Sequence, residues 1–194
     1  QDAAAGAARA GGVGAMTAFG RRAVLQAIGL VGGVLVVFWL GQARFRVAEA
    51  SLVAQASDAL GGGTVFNVGS DILIFPDAQL PIYASLQPSC SALASVLATV
   101  LLFVMGRGRP ASRRARSLAL AVGLIVVGNL VRLIAVVIVG TYGGRFALVA
   151  FHDVAGATFT FVYVLGSFCV GLRELLAPGA ADRSIASRKE LSHV

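Results

Sequence analysis

Four charge-poor apolar runs constrain this chain more than any other feature: Ala23–Leu40, Cys90–Met105, Ser117–Gly140 and Val154–Leu172. A helix that crosses a hydrocarbon core about 30 Å thick needs about 20 predominantly apolar residues. With 57% hydrophobic and 13% charged side chains, the 194-residue chain is far more apolar than a soluble domain of that size. These runs predict an all-α polytopic membrane protein with four transmembrane helices, over about 23–40, 88–106, 117–140 and 154–172. The second run reaches spanning length only by taking in residues just before Cys90 and Gly106. The third carries one charge, Arg132.

The net charge of +7 follows membrane topology and is not spread as a nucleic-acid surface would be. Residues 107–116 hold Arg107, Arg109, Arg113, Arg114 and Arg116 with no acid, and Arg21 and Arg22 stand just before the first run. Residues 41–89 set Arg44 and Arg46 against Glu49, Asp58, Asp71 and Asp77. The positive-inside rule therefore puts both termini and the 106–116 loop in the cytoplasm, with 41–89 and 141–153 outside. The expected location is the cytoplasmic (inner) membrane. Residues 1–22, Ala/Gly-rich and aperiodic, read as a flexible tail. The run 23–40 reads as an anchor, being longer than a signal-peptide core and lacking a nearby cleavage pattern. Residues 173–194 read as a short cytoplasmic tail, in which His193 has no assigned role.

The extracytoplasmic segment 41–87 has its own pattern. Val47, Leu52, Val53, Ala56 and Leu60 recur among polar residues as in a helix lying on the membrane surface. "TVFNV" and "DILIF" flank Gly69-Ser70, the signature of a β-hairpin with a glycine-first turn. The chain then passes Pro76, Pro81 and Pro88 on its way into the second run.

Proline is favoured in the first turn of a helix, so Pro88 is expected to open the second span and Cys90 to fall in its first turn. Free N–H groups there favour an anion and lower a thiol's pKa. On residue type alone a lone cysteine in apolar surroundings is a small hydrophobe. Its position argues otherwise. On the oxidising side of a membrane cysteines pair, and Cys169 is the one other cysteine. It lies about 25 Å along the fourth helix from the outer end, whereas a disulfide needs Cα atoms within about 7 Å. Cys90 is thus expected to be a free, outward thiol, and Cys169 to be core.

Arg132 lies within the third span, where an arginine by default marks a functional site facing the bundle interior; the alternative is a side chain snorkelling to the interface. Asn129 shares its face, and Gly128 and Ala135 leave room for close helix approach. Eight residues, about 12 Å, separate Arg132 from the outer end of that span, so meeting Cys90 requires a tilted helix or a wet cavity. His152 precedes the fourth span on the outer side, with Gly156, Phe159 and Tyr163 continuing its helical face. Asp153 is expected to favour the helix N-terminus and not to face His152, because adjacent helical positions diverge. Together, a thiolate, a histidine able to exchange protons near neutral pH and a guanidinium able to steady an oxyanion make up a cysteine acyl-transfer site.

Cys90-Ser91-Ala92, Asn129-Leu130-Val131-Arg132 and His152-Asp153-Val154-Ala155-Gly156 resemble, in order and spacing, the motifs of the exosortase/archaeosortase family of membrane cysteine transpeptidases. The resemblance covers roughly residues 61–172. It implies Cys90 as nucleophile, Arg132 as oxyanion stabiliser and His152 as general acid/base, with Ser91, Asn129 and Gly156 in support. It further implies secreted substrate proteins that end in a tag of short motif, transmembrane helix and basic cluster. Ala92 stands where a glycine often follows the Cys-Ser pair, and many members have about eight spans where this chain has room for four. That makes it a compact form or one needing a membrane partner. No metal site and no cofactor is expected, since two histidines and few acids form no ligand cluster. The competing reading is a non-enzymatic membrane subunit in which Arg132 binds an anion or lipid headgroup and Cys90 merely packs. A hydrolytic intramembrane protease would use the same residues as a transpeptidase.

Overall fold

The computed structural model describes residues 2–61, 64–76, 80–105 and 110–177. The chain is mainly helical with one small sheet: α1 (Asp2–Ala59), β1 (Thr64–Val68), β2 (Asp71–Phe75), β3 (Ile82–Ser85), a 3₁₀ turn (Pro88–Cys90), α2 (Leu93–Met105), α3 (Ala111–Ala150), a π turn (Phe151–Ala155) and α4 (Gly156–Leu176). It divides into two compact units, residues 1–41 and 42–194.

The first unit is the N-terminal part of α1. The stretch expected as a flexible tail is helical from Asp2 onward, in keeping with alanine's rank as the strongest helix former. Further along, Val24, Leu25, Ile28, Val31, Val37 and Leu40 are all exposed, an apolar surface around most of the helix, as a lipid-facing segment has.

The second unit contains the end of α1, the sheet and the remaining helices. The surface helix expected over 47–60 is not a separate element, because α1 continues through it. Its apolar face is buried: Ala50, Val53 and Ala54 pack with Val65, Ile72, Ile74 and Ile82 of the sheet and with Leu133 and Val137 of α3. The sheet, in order β1-β2-β3, is antiparallel throughout. The hairpin at Gly69-Ser70 forms as expected, with Gly69 at φ +65°, a left-handed conformation open to glycine. A third strand joins it. Ile82–Ser85 is only four residues long and opens directly after Pro81, a position where a missing N–H is tolerated.

Two stretches are long and apolar enough to cross a membrane, Val24–Ala59 and Ala111–Leu176. The second is a folded hairpin, not one straight rod. Gly144 breaks α3 at φ 72°, ψ −172°, a region essentially confined to glycine. Beyond it the chain returns. A Cβ on Gly140 would meet the Leu148 side chain, one on Gly128 the Tyr163 ring, and one on Gly171 the Ala121 side chain, an antiparallel order along the two legs. At the far end Arg113 Nε donates to the Glu174 carbonyl at 3.1 Å and Nη2 to that of Ala177, satisfying the last carbonyls of α4.

Four full spans are not what helix length supplies. α2 has 13 residues, about 20 Å, short of the hydrocarbon core, because the chain before Leu93 is held in the 3₁₀ turn and an extended residue. Cys169, expected in the core, is exposed. The face of α4 that meets α3 carries Ser167 and Gly171, and Cys169 lies two residues from each, on the opposite side. Residues 106–109 of the basic loop and residues 178–194 of the C-terminal tail lie outside the described residues.

Candidate functional site

Gln87 is extended, Pro88–Cys90 make a single 3₁₀ turn, and Ser91 is extended again, with Cys90 N–H donating to the Gln87 carbonyl at 2.9 Å. Cys90 therefore precedes α2 and does not sit in its first turn. The first free N–H groups of α2 are used elsewhere: that of Ala92 donates to Glu49 Oε1 at 3.0 Å and that of Leu93 to Ser91 Oγ at 3.3 Å. The N–H groups of Ala92 and Leu93 are therefore not free to face the Cys90 thiol.

The group that meets the thiol comes from the far side of the Gly144 reversal. Residues 145–150 run back along α3 and lead into the π turn, which sets His152 Nε2 3.2 Å from Cys90 Sγ. His152 Nδ1 lies 2.9 Å from Asp153 Oδ1. This corrects the expectation that neighbours in sequence would not meet. The wider π turn places fewer degrees between successive side chains than an α-helix does, and such turns recur at functional sites. With Nδ1–H donating to Asp153, Nε2 faces the sulfur and is placed to exchange a proton with it. Thiol, imidazole and carboxylate thus stand in the linear order of a nucleophile, base and orienting group.

Both titrating groups stand outside the helical legs, in the turns ahead of α2 and α4. Burial pushes the Cys90 thiol up, but the hydrogen bond and charge of His152, with the Arg132 guanidinium, outweigh it and hold the thiol below its ordinary value. Asp153 and then Cys90 raise the His152 ring above its own, against burial and the Arg132 charge. The two shifts favour a thiolate–imidazolium pair.

Arg132 is buried, 6% exposed, on α3. Nη1 donates to Thr160 Oγ1 at 2.7 Å, whose hydroxyl in turn donates to the Gly156 carbonyl at 2.8 Å. Nε is buried without a partner, and a Cβ on Gly156 would stand 3.8 Å from it. Arg132 makes its hydrogen bond to Thr160 and not to the pair, but its charge is felt at both Cys90 and His152.

Asn129 and Ser91 do not touch the pair. Ser91 Oγ accepts from Leu93 N–H, and Asn129 belongs to a network centred on Glu49, which the sequence alone marked only as an outer acid. Glu49 is 4% exposed. Its Oε1 accepts from Asn129 Nδ2 at 2.8 Å as well as from Ala92, and Tyr163 Oη donates to Asn129 Oδ1 at 3.1 Å. The visible signal for Glu49 was its helical spacing to Val53, four residues on along a face that turns out to be buried. Among the described residues no group of three His, Cys, Asp or Glu side chains is placed to hold a metal ion.

No protein-family model matches the chain, and no curated protein or solved structure is similar to it.

Proposed function

We propose that this chain is an exosortase-like cysteine peptidase and transpeptidase that cleaves the C-terminal sorting signal of secreted proteins at the outer face of the cytoplasmic membrane. The observation that carries this reading is the 3.2 Å approach of Cys90 Sγ to His152 Nε2, with Asp153 2.9 Å behind the ring. The motif resemblance supplies the substrate class. In the membrane, the apolar part of α1, α3 ahead of its reversal and α4 cross the bilayer, and α2 with its preceding turn forms a shorter fourth element.

His152 Nε2 takes the Cys90 proton, and Sγ adds to the carbonyl carbon of the scissile peptide bond. The carbonyl oxygen becomes an oxyanion, and the Arg132 guanidinium, with its unpartnered Nε, steadies that charge. The C–N bond then breaks, the imidazolium gives its proton to the leaving amine, and the acyl group remains on sulfur as a thioester. An acceptor amine or water attacks the thioester, loses its proton to His152 and restores the thiol. Partners are tagged secreted proteins and surrounding lipid.

The same orphaned Nε also favours the competing reading, a non-enzymatic subunit that holds an anion or lipid headgroup at Arg132. The two separate in cells expressing Cys90→Ala at wild-type membrane levels. Under the enzymatic reading, tagged proteins retain their C-terminal segments; continued processing with no second copy of the enzyme present leaves only the anion-binding account.

A further inference from the structure

Two hollows are bordered by β3 and its flanks. One, of about 200 Å³, is lined by Ile72, Ile74 and Ala84 of the sheet, by Val149 of the returning segment, and by Cys90 and His152, with α3 residues beside them. The other, of about 640 Å³, is lined by Leu80, Pro81, Ile82, Tyr83 and Arg145. Each is lined by β3 or its flanks and by the segment returning from Gly144, so that Pro81 and Arg145 border a hollow at one end of β3 and Cys90 and His152 border one beyond the other.

β3 is an edge strand, and its hydrogen-bond phase is known. Leu86 N–H donates to the Ser70 carbonyl, in register with the pairs Ala84–Ile72 and Ile82–Ile74. Antiparallel ladders alternate between bonded and non-bonded pairs, so Tyr83 and Ser85 turn their backbone N–H and C=O groups away from β2, toward the free edge. A row of unpaired main-chain groups beside a hollow is what an extended peptide pairs with. In a strand added there, side chains on the face of Ile82 and Ala84 point into the smaller hollow, whose surface is almost wholly apolar.

Resting on the peptidase reading above, we infer that the substrate binds as an extended strand added to the free edge of β3, with an apolar side chain beside the scissile bond seated in the hollow between Ala84 and Val149. The occupant is a peptide segment, because the edge supplies main-chain partners at alternate residues and ends at the thiol that must reach a peptide carbonyl.

The test uses the full chain in detergent and follows labelling of Cys90 by short peptides ending in a chloromethyl ketone, beside labelling by iodoacetamide. A peptide with leucine next to the reactive group is expected to label Cys90 at least ~10-fold faster than one with lysine there. Val149→Asn, a neutral change at a half-exposed position, is expected to abolish that preference, read as the ratio of leucine-peptide to lysine-peptide labelling within the same variant. Methylating the peptide's backbone nitrogens at one set of alternate residues is expected to slow labelling, and at the other set to leave it alone. Rates that ignore both side chain and methylation, with rapid iodoacetamide labelling, overturn binding at the β3 edge and leave the nucleophile standing. A Cys90 inert even to iodoacetamide overturns the peptidase reading, and the edge-strand site with it.

Discussion

Asn129 donates its side-chain amide to Glu49 at 2.8 Å, across 80 residues of sequence, and the same carboxylate oxygen receives the N–H of Ala92. Through Tyr163, which donates to Asn129, the network joins the end of α1, the start of α2, α3 and α4. Cys90 sits two residues before Ala92. Glu49 is therefore the point at which the turn of Cys90 is tied to α3, which carries Arg132, and through Tyr163 to α4.

Removing that tie strands buried donors. Glu49→Ala leaves the Asn129 amide and the Ala92 N–H without partners, at a cost of about 1–3 kcal/mol for each buried group. Glu49→Gln keeps a carbonyl oxygen and can retain both bonds, losing only the charge. Thermal unfolding in detergent is expected to rank wild type and Glu49→Gln close together and Glu49→Ala clearly below them. Equal midpoints for Ala and Gln would mean that these bonds contribute nothing.

The thiol offers a pH signature. Cys90 is held below its ordinary value and His152 above its own, so the thiolate persists to lower pH than for a free cysteine, whose midpoint lies near ~8.5. Alkylation by iodoacetamide, followed from pH 5 upward in steps of about one unit, should reach half its plateau below that value. His152→Ala should move the midpoint up and Arg132→Gln should move it up less, following the order of their contributions. A midpoint unmoved by His152→Ala would remove the histidine from thiol activation.

Cys90, Arg132 and His152 could be read from the sequence because each is the wrong residue for its place: an unpaired thiol, an arginine within an apolar run, a histidine at a membrane edge. Glu49 gives no such signal. An acid in a charged outer segment looks solvated, and only the packing of α1 against Ala92 and Asn129 buries it. Asp153 was visible but misjudged, since helical geometry keeps neighbours apart and nothing in "FHDVA" announces a π turn. The third strand was hidden by brevity and by Pro81. The reversal had a signal in Gly143-Gly144, a doublet that punctuates helices, but its consequence, bringing His152 back along α3, is a matter of tertiary packing.

That reversal makes Gly144 a test of how the site is assembled. At φ 72°, ψ −172° a residue with a Cβ is strained by about 1–3 kcal/mol. Gly144→Ala should either lower stability by that amount or relax the turn and withdraw His152. Alkylation distinguishes the two: a Cys90 midpoint returned toward the ordinary thiol range signals withdrawal, whereas an unchanged midpoint with a lowered unfolding temperature signals strain alone. A variant unchanged in both respects would show that the reversal does not depend on this glycine.

Asp153 contributes a charge as well as an orientation, and substitutions separate them. In Asp153→Asn the side-chain carbonyl can still accept from His152 Nδ1–H, so the ring keeps its direction while the carboxylate that raises its pKa is lost. The imidazolium formed when Nε2 takes the thiol proton is then less stable, and the thiolate with it. Asp153→Ala loses the direction too. Release of the C-terminal segment from a tagged protein should therefore fall about tenfold or more in Asp153→Asn and further in Asp153→Ala. The Cys90 alkylation midpoint should rise in both. Because Asp153 is exposed and bonded only to its neighbour among the described residues, the unfolding temperature should hold. A fall in activity that tracks a fall in stability would make Asp153 a structural residue, whereas lost activity with a raised thiol midpoint and an intact fold assigns it to positioning the base.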